Sequence, residues 1–117
     1  MMTISRAQML AMSNAVKRQF DRNLALHLLR SRPSVMISEF NDAVTFVRCC
    51  IERALGYDIV SEAGLERYVT ASWILGTYAD DYDEVIFHIL SNRQLAPFYR
   101  AMESLRLAQE LAGRHHV

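Results

Sequence analysis

The sequence predicts an all-α protein, a compact bundle of about five helices in a single domain spanning residues 1–117. Four Gly and two Pro in 117 residues are too few to punctuate a strand-and-turn protein. Apolar residues make up 51% of the chain and charged residues 22%, a globular balance and not a disordered one. The apolar residues also recur at spacings of three and four, the period of an amphipathic helix.

The first helix is the longest. Ser5 and Gln8 have the S-x-x-Q spacing of a capping box, and Ile4 and Met9 occupy hydrophobic-staple positions. Met9, Met12, Val16, Phe20, Leu24 and Leu28 then form one apolar stripe, and Pro33 stops the helix. A second helix is expected from Ser38 to Leu55, with Gly56 as a left-handed C-cap and Phe40, Val44, Val47, Ile51 and Leu55 facing inward. Ser61 starts the third, which buries Leu65, Tyr68 or Val69, Ser72 or Trp73, and Leu75 before Gly76 closes it. A short fourth helix is expected from about Asp83 to Leu90, its start favoured by the acidic run Asp80-Asp81-Tyr82-Asp83-Glu84. The last begins near Pro97, buries Phe98, Met102 and Leu105, and ends at Gly113. Short connections make consecutive helices antiparallel neighbours.

Charge is divided along the chain although the formal total is zero. Residues 1–32 carry Arg6, Lys17, Arg18, Arg22, Arg30 and Arg32 against Asp21 alone. Residues 58–84 carry seven carboxylates, Asp58, Glu62, Glu66, Asp80, Asp81, Asp83 and Glu84, against Arg67. The basic first helix could contact phosphates, but a pI of about 6.9 argues against a dedicated nucleic-acid binder. An acidic protein partner fits the same charges, and so does a plain solvated face.

Catalytic and metal motifs are missing from the sequence. The acidic run fails the calcium-loop pattern, because counting from Asp81 places Ile86 sixth and Asn92 twelfth. His27 and His88 sit in apolar helices as edge or core residues, and His115-His116 lies at the terminus. No H-E-x-x-H spacing, phosphate-binding glycine loop or local nucleophile motif is present. Cys49 and Cys50 are adjacent, so a helix separates them by about 100° and they read as packing thiols in a reducing compartment. No stretch approaches the roughly 18 apolar residues of a membrane span, and no signal peptide is expected because the apolar residues from Ile4 to Met12 are interrupted by Ser5, Arg6 and Gln8. These features predict a cytoplasmic protein without cofactor or metal.

The segment Ser61-Glu62-Ala63-Gly64-Leu65-Glu66-Arg67-Tyr68-Val69, followed by Trp73-Ile74-Leu75-Gly76, Asp81-Tyr82-Asp83, Ile89-Leu90-Ser91-Asn92 and Leu95-Ala96-Pro97, resembles small helical proteins of Gram-negative bacteria encoded near type VI secretion spikes and effectors. The likeness covers about residues 37–107 and departs from that pattern at Gly76-Thr77, where the family pattern has Gly-Pro. The resemblance implies a cytosolic accessory protein: an adaptor, co-chaperone or immunity partner that holds an effector or its chaperone.

The expected function is therefore a non-enzymatic protein-binding module, with a homodimer as one way to satisfy the same features. Phe20, Leu24 and Leu28 are the expected apolar anchors, Arg18 and Arg22 the steering charges, and Asp80, Asp81 and Asp83 the opposing acidic face. A helical regulator that contacts nucleic acid through the first helix is the alternative.

Overall fold

A computed structural model of the chain describes residues 14–34 and 36–114, with side chains from Gln19 onward. Among the described residues six helices follow in order: α1 (Asn14–Ser31), α2 (Phe40–Gly56), α3 (Glu62–Leu75), α4 (Ala79–Tyr82), α5 (Glu84–Ser91) and α6 (Pro97–Arg114). No strand occurs among the described residues. The radius of gyration, 13.7 Å, is close to the roughly 13 Å of a compact chain this long. The all-helical, compact reading holds, and the described residues include a helix that was not expected: the single turn α4, formed by the acidic run itself. The capping box at Ser5 and the long N-terminal half of the first helix lie outside the described residues.

The helix starts follow side-chain chemistry in two places. Ser61 accepts a hydrogen bond from the Gly64 amide at 3.0 Å, and Asp83 caps α5 by accepting from the Ile86 amide at 3.1 Å. Gly76 adopts φ 80° and closes α3 with its amide on the Ser72 and Trp73 carbonyls, as expected of a left-handed C-cap. Gly64 is required for a different reason. A Cβ there would meet Ile59 and the Ser61 hydroxyl at 2.9 Å, so the first turn of α3 sits against the preceding loop too closely for a side chain.

Helix α2 departs from expectation at both ends. It begins at Phe40 after Glu39, not at Ser38, and runs through Gly56, leaving the left-handed conformation to Asp58 at φ 61°. Asp tolerates this region better than most residues. Continuing the helix through Gly56 carries Tyr57 to the Asp80 carboxylate, 2.7 Å from its hydroxyl, while Arg93 holds both the Gly56 carbonyl and the Asp58 carboxylate. Tertiary contacts therefore replace the glycine cap. At the far end of the chain, Gly113 remains helical and α6 runs to Arg114.

The core centres on α3, which is buried on nearly all sides: Leu65, Tyr68, Val69, Thr70, Ala71, Ser72 and Trp73. Its most extensive partner is α6, a neighbour in space and not in sequence; α1 and α2 form the other principal pair. The α2 stripe is buried as expected at Val44, Val47, Ile51 and Leu55, with Phe40 half-buried. Phe46 meets Trp73 edge-on at 5.8 Å, and the Trp73 indole N–H donates to the Arg32 carbonyl at 2.6 Å, tying the end of α1 to α3.

Helix α6 buries a different face from the one expected. Ala101, Ser104 and Ala108 are fully buried, whereas Phe98 and Met102 are 38% and 45% exposed. Small side chains at positions three and four apart let two helices approach closely, and α6 uses that row against α3. The bulky residues are displaced to the flank. A hydrophobicity ranking puts Phe and Met inside; packing distance chose Ala and Ser.

Candidate functional site

The most elaborate polar arrangement in the fold gathers around Asp80. One turn of helix, α4, delivers this carboxylate to a place between α2 and α3, where its side chain is 1% exposed. Oδ2 accepts from Arg53 Nε at 2.8 Å and from the Tyr57 hydroxyl at 2.7 Å, and Oδ1 accepts from the Tyr68 hydroxyl at 2.7 Å. Arg53 also donates through Nη2 to Asp81 at 2.6 Å and lies 4.4 Å from the centre of the Tyr78 ring. The Ser72 hydroxyl accepts from the Ala79 amide at 3.0 Å, fixing the start of the α4 turn.

The electrostatics follow from this geometry. Burial would raise the Asp80 pKa, but hydrogen bonds from Tyr57, Tyr68 and Arg53 outweigh it and hold the carboxyl below its ordinary value of 3.8. Burial would lower the Arg53 pKa, and the Asp80 hydrogen bond and charge raise it instead. Tyr57 and Tyr68 are pushed well above the usual phenol range, by burial first and then by the carboxylate they face. The neighbouring Cys50 thiol is pushed up to about 12 by burial. A carboxylate with a lowered pKa and both oxygens occupied is a poor base, and a thiol kept protonated is a poor nucleophile. The cluster's work is to clasp α2, α3 and α4 together.

Next to it, Arg48, Cys49, Glu52 and Tyr78 line an open depression of about 390 Å³. Arg48 is engaged by Asp21 at 2.9 Å, which joins α2 to α1. Only Cys50 is the packing thiol expected of both; Cys49, about 100° away on the same helix, is exposed. Among the described residues no group of three or more His, Cys, Asp or Glu side chains is placed to hold a metal ion.

The expected site residues scatter. Leu24 and Leu28 are 6% and 1% exposed and belong to the protein's own core, with Phe20 half-buried against it. A stripe that completes the core is not available as an anchor for a partner, so this part of the expectation is corrected. Asp80 is likewise no solvated acidic face: it is the buried centre of the clasp, with the exposed Asp81 paired to Arg53 and Asp83 serving as the α5 cap. Arg22 is exposed on α1, 5.3 Å from the Phe40 ring centre, and the Arg18 side chain lies outside the described residues. His27 and His88 are exposed, not edge or core residues.

Sequence reasoning passed over Arg53 and Tyr57, and named Tyr68 only as an inward-facing residue of the third helix. Arg53 and Tyr57 are four apart and share a helix face, which is the one local signal; their acceptor lies 23 or more residues onward. It also passed over the surface made by the displaced apolar residues. Tyr82, Val85, Phe87, Phe98, Tyr99 and Met102 are all large, exposed and confined to α4, α5 and α6. Phe98 and Met102 are four apart on one flank of α6, and Arg67 from α3 lies 5.9 Å from the Phe98 ring centre. Comparison of the chain with protein-family models, with curated proteins and with solved structures returns no match.

Proposed function

We propose that the protein is a non-enzymatic, cytosolic protein-binding module whose contact surface is the apolar flank of α6 around Phe98, Tyr99 and Met102. The observation that carries this reading is the position of those three side chains. They are 38%, 46% and 45% exposed in a fold whose buried polar side chains are all satisfied among the described residues. Aromatic and methionine side chains are enriched in protein interfaces, and Met adapts its shape to a partner. No helix among the described residues is long and apolar enough to cross a membrane, so a lipid-spanning use of this surface has no support. The sequence resemblance makes the partner a secretion effector or its chaperone, with the protein acting as adaptor, co-chaperone or immunity partner. That assignment rests on the quoted residues alone.

The test is affinity purification of the tagged protein from its host, with mass spectrometry, beside a variant carrying Phe98→Ser and Met102→Glu. A stoichiometric partner that the variant loses while remaining folded supports the proposal. A partner retained by the variant moves the contact elsewhere. Bait alone, dimeric by light scattering, replaces the proposal with self-association.

A further inference from the structure

Most arginines in this fold are engaged by the protein itself. Arg48, Arg53, Arg67, Arg93 and Arg106 each meet a carboxylate, and Arg100 donates to the Leu90 and Leu95 carbonyls. On α1 the described cations meet no carboxylate, and Arg22 lies over the Phe40 ring of α2, 5.3 Å from its centre. Arg22, Leu26 and Arg30 are spaced i, i+4, i+8, so they form one line along the helix, and all three are exposed. Among the described residues no carboxylate pairs with Arg22 or Arg30, or with Arg32 just beyond. The one acid of α1, Asp21, is 8% exposed and points inward to Arg48. Arg18 continues the same spacing in sequence.

A solvated helix face ordinarily mixes signs, and like charges along one face repel. On α6 the mixing is plain: Arg106 lies between Glu103 and Glu110 and bonds to both. On α1 no described carboxylate pairs with Arg22 or Arg30, and an apolar leucine, 37% exposed, stands between the two cations. At 1.5 Å of rise per residue, Arg22 and Arg30 are about 12 Å apart along the axis.

We infer that the Arg22–Leu26–Arg30 line of α1 docks an acidic amphipathic helix of a partner protein, with carboxylates seven or eight residues apart seated on the two guanidiniums and an apolar residue between them on Leu26. The inference rests on the protein-binding reading above and adds to the α6 flank a second contact surface, on α1, with the chemistry of what it binds. A guanidinium donates two parallel hydrogen bonds to a carboxylate, and the unbalanced charge speeds encounter with an acidic surface. Leu26 decides between an acidic protein and a nucleic acid. A phosphate backbone offers nothing apolar at the centre of the line, whereas an amphipathic helix does.

The test uses the whole protein and three fluorescent probes: a helical peptide with two Glu residues seven apart and Leu midway, its Lys-for-Glu counterpart, and a short DNA duplex. The acidic peptide binds, and its affinity falls about tenfold or more between about 50 and about 300 mM salt. Arg22→Glu with Arg30→Glu weakens it by a similar factor, and Leu26→Ser weakens it about threefold at every salt concentration. Circular dichroism confirms that the variants stay folded. Equal binding of the acidic and Lys peptides, no binding of the acidic peptide, or no effect of the double substitution overturns the inference; DNA binding that the double substitution abolishes assigns the face to nucleic acid instead. Failure of the broader reading looks different. There the acidic peptide binds through α1 but no protein is recovered from the host. If the host partner is recovered equally well by the double variant, the inference alone fails.

Discussion

Arg53 and Arg22 have the same side chain on adjacent helices and opposite fates. Arg53 reaches a buried carboxylate, a second exposed carboxylate and a tyrosine ring, so its charge is used inside the fold. Arg22 lies over Phe40, and Arg30, two turns on, faces solvent; neither meets a carboxylate among the described residues. The difference teaches where stability and binding reside in this protein. A charge withdrawn from water must be paired or it destabilises the fold, so the Asp80 clasp is an all-or-none structural element. A charge left in water adds little to stability and remains available to a partner.

The sharpest way to break the comparison is Asp80→Asn. It removes the charge that Arg53, Tyr57 and Tyr68 converge on and leaves buried donors poorly paired, so urea unfolding should show a loss of about 3 kcal/mol. Next is Arg100→Met, which removes the buried guanidinium bonded to Leu90 at 2.5 Å and Leu95 at 3.1 Å. Those carbonyls end α5 and the following turn, and losing their donor should cost about 2 kcal/mol in the same measurement.

The clasp also sets an acid limit. Because the folded-state pKa of Asp80 is lowered, its contribution is complete above the ordinary carboxylate value of 3.8 and is lost as pH falls through the lower, folded-state value. Stability followed from pH 6 to about pH 2 should therefore fall more steeply in the native protein than in Asp80→Asn; parallel curves would show that the clasp carries no linkage. The smallest effect sharpens the contrast. Arg22→Glu with Arg30→Glu should leave unfolding free energy within about 1 kcal/mol of the native protein, since exposed residues without a carboxylate partner contribute little to folding and Arg22 loses only its exposed contact with the Phe40 ring. A loss as large as that of Asp80→Asn would make the α1 face structural after all.

Much of the fold was legible because local rules and tertiary needs coincided. Ser61 and Gly76 bound α3 as their side-chain chemistry dictates, Asp83 caps α5, and the α2 stripe from Val44 to Leu55 is buried as its spacing predicts. Legibility failed where packing chose among residues that periodicity treats alike. Phe98 and Met102 lost the interior to Ala101, Ser104 and Ala108, a row of small side chains that lets two helices approach closely. The candidate site suffered more. Asp80 stood out in the sequence as part of an acidic run, but its partners Arg53, Tyr57 and Tyr68 are 27, 23 and 12 residues away, beyond any local pattern.

By itself, the sequence determined the helical class, most helix boundaries and the uneven placement of basic residues, because these depend on composition, caps and spacing within a few turns. Tertiary structure alone decided which acids and arginines cancel and which remain free. It placed Asp80 between two tyrosines and Arg53, turned Asp21 toward Arg48, and left Arg22 and Arg30 without a carboxylate among the described residues. Charge pairing across helices is a property of distances in space. Spacing along the chain carries no information about it beyond a single helix.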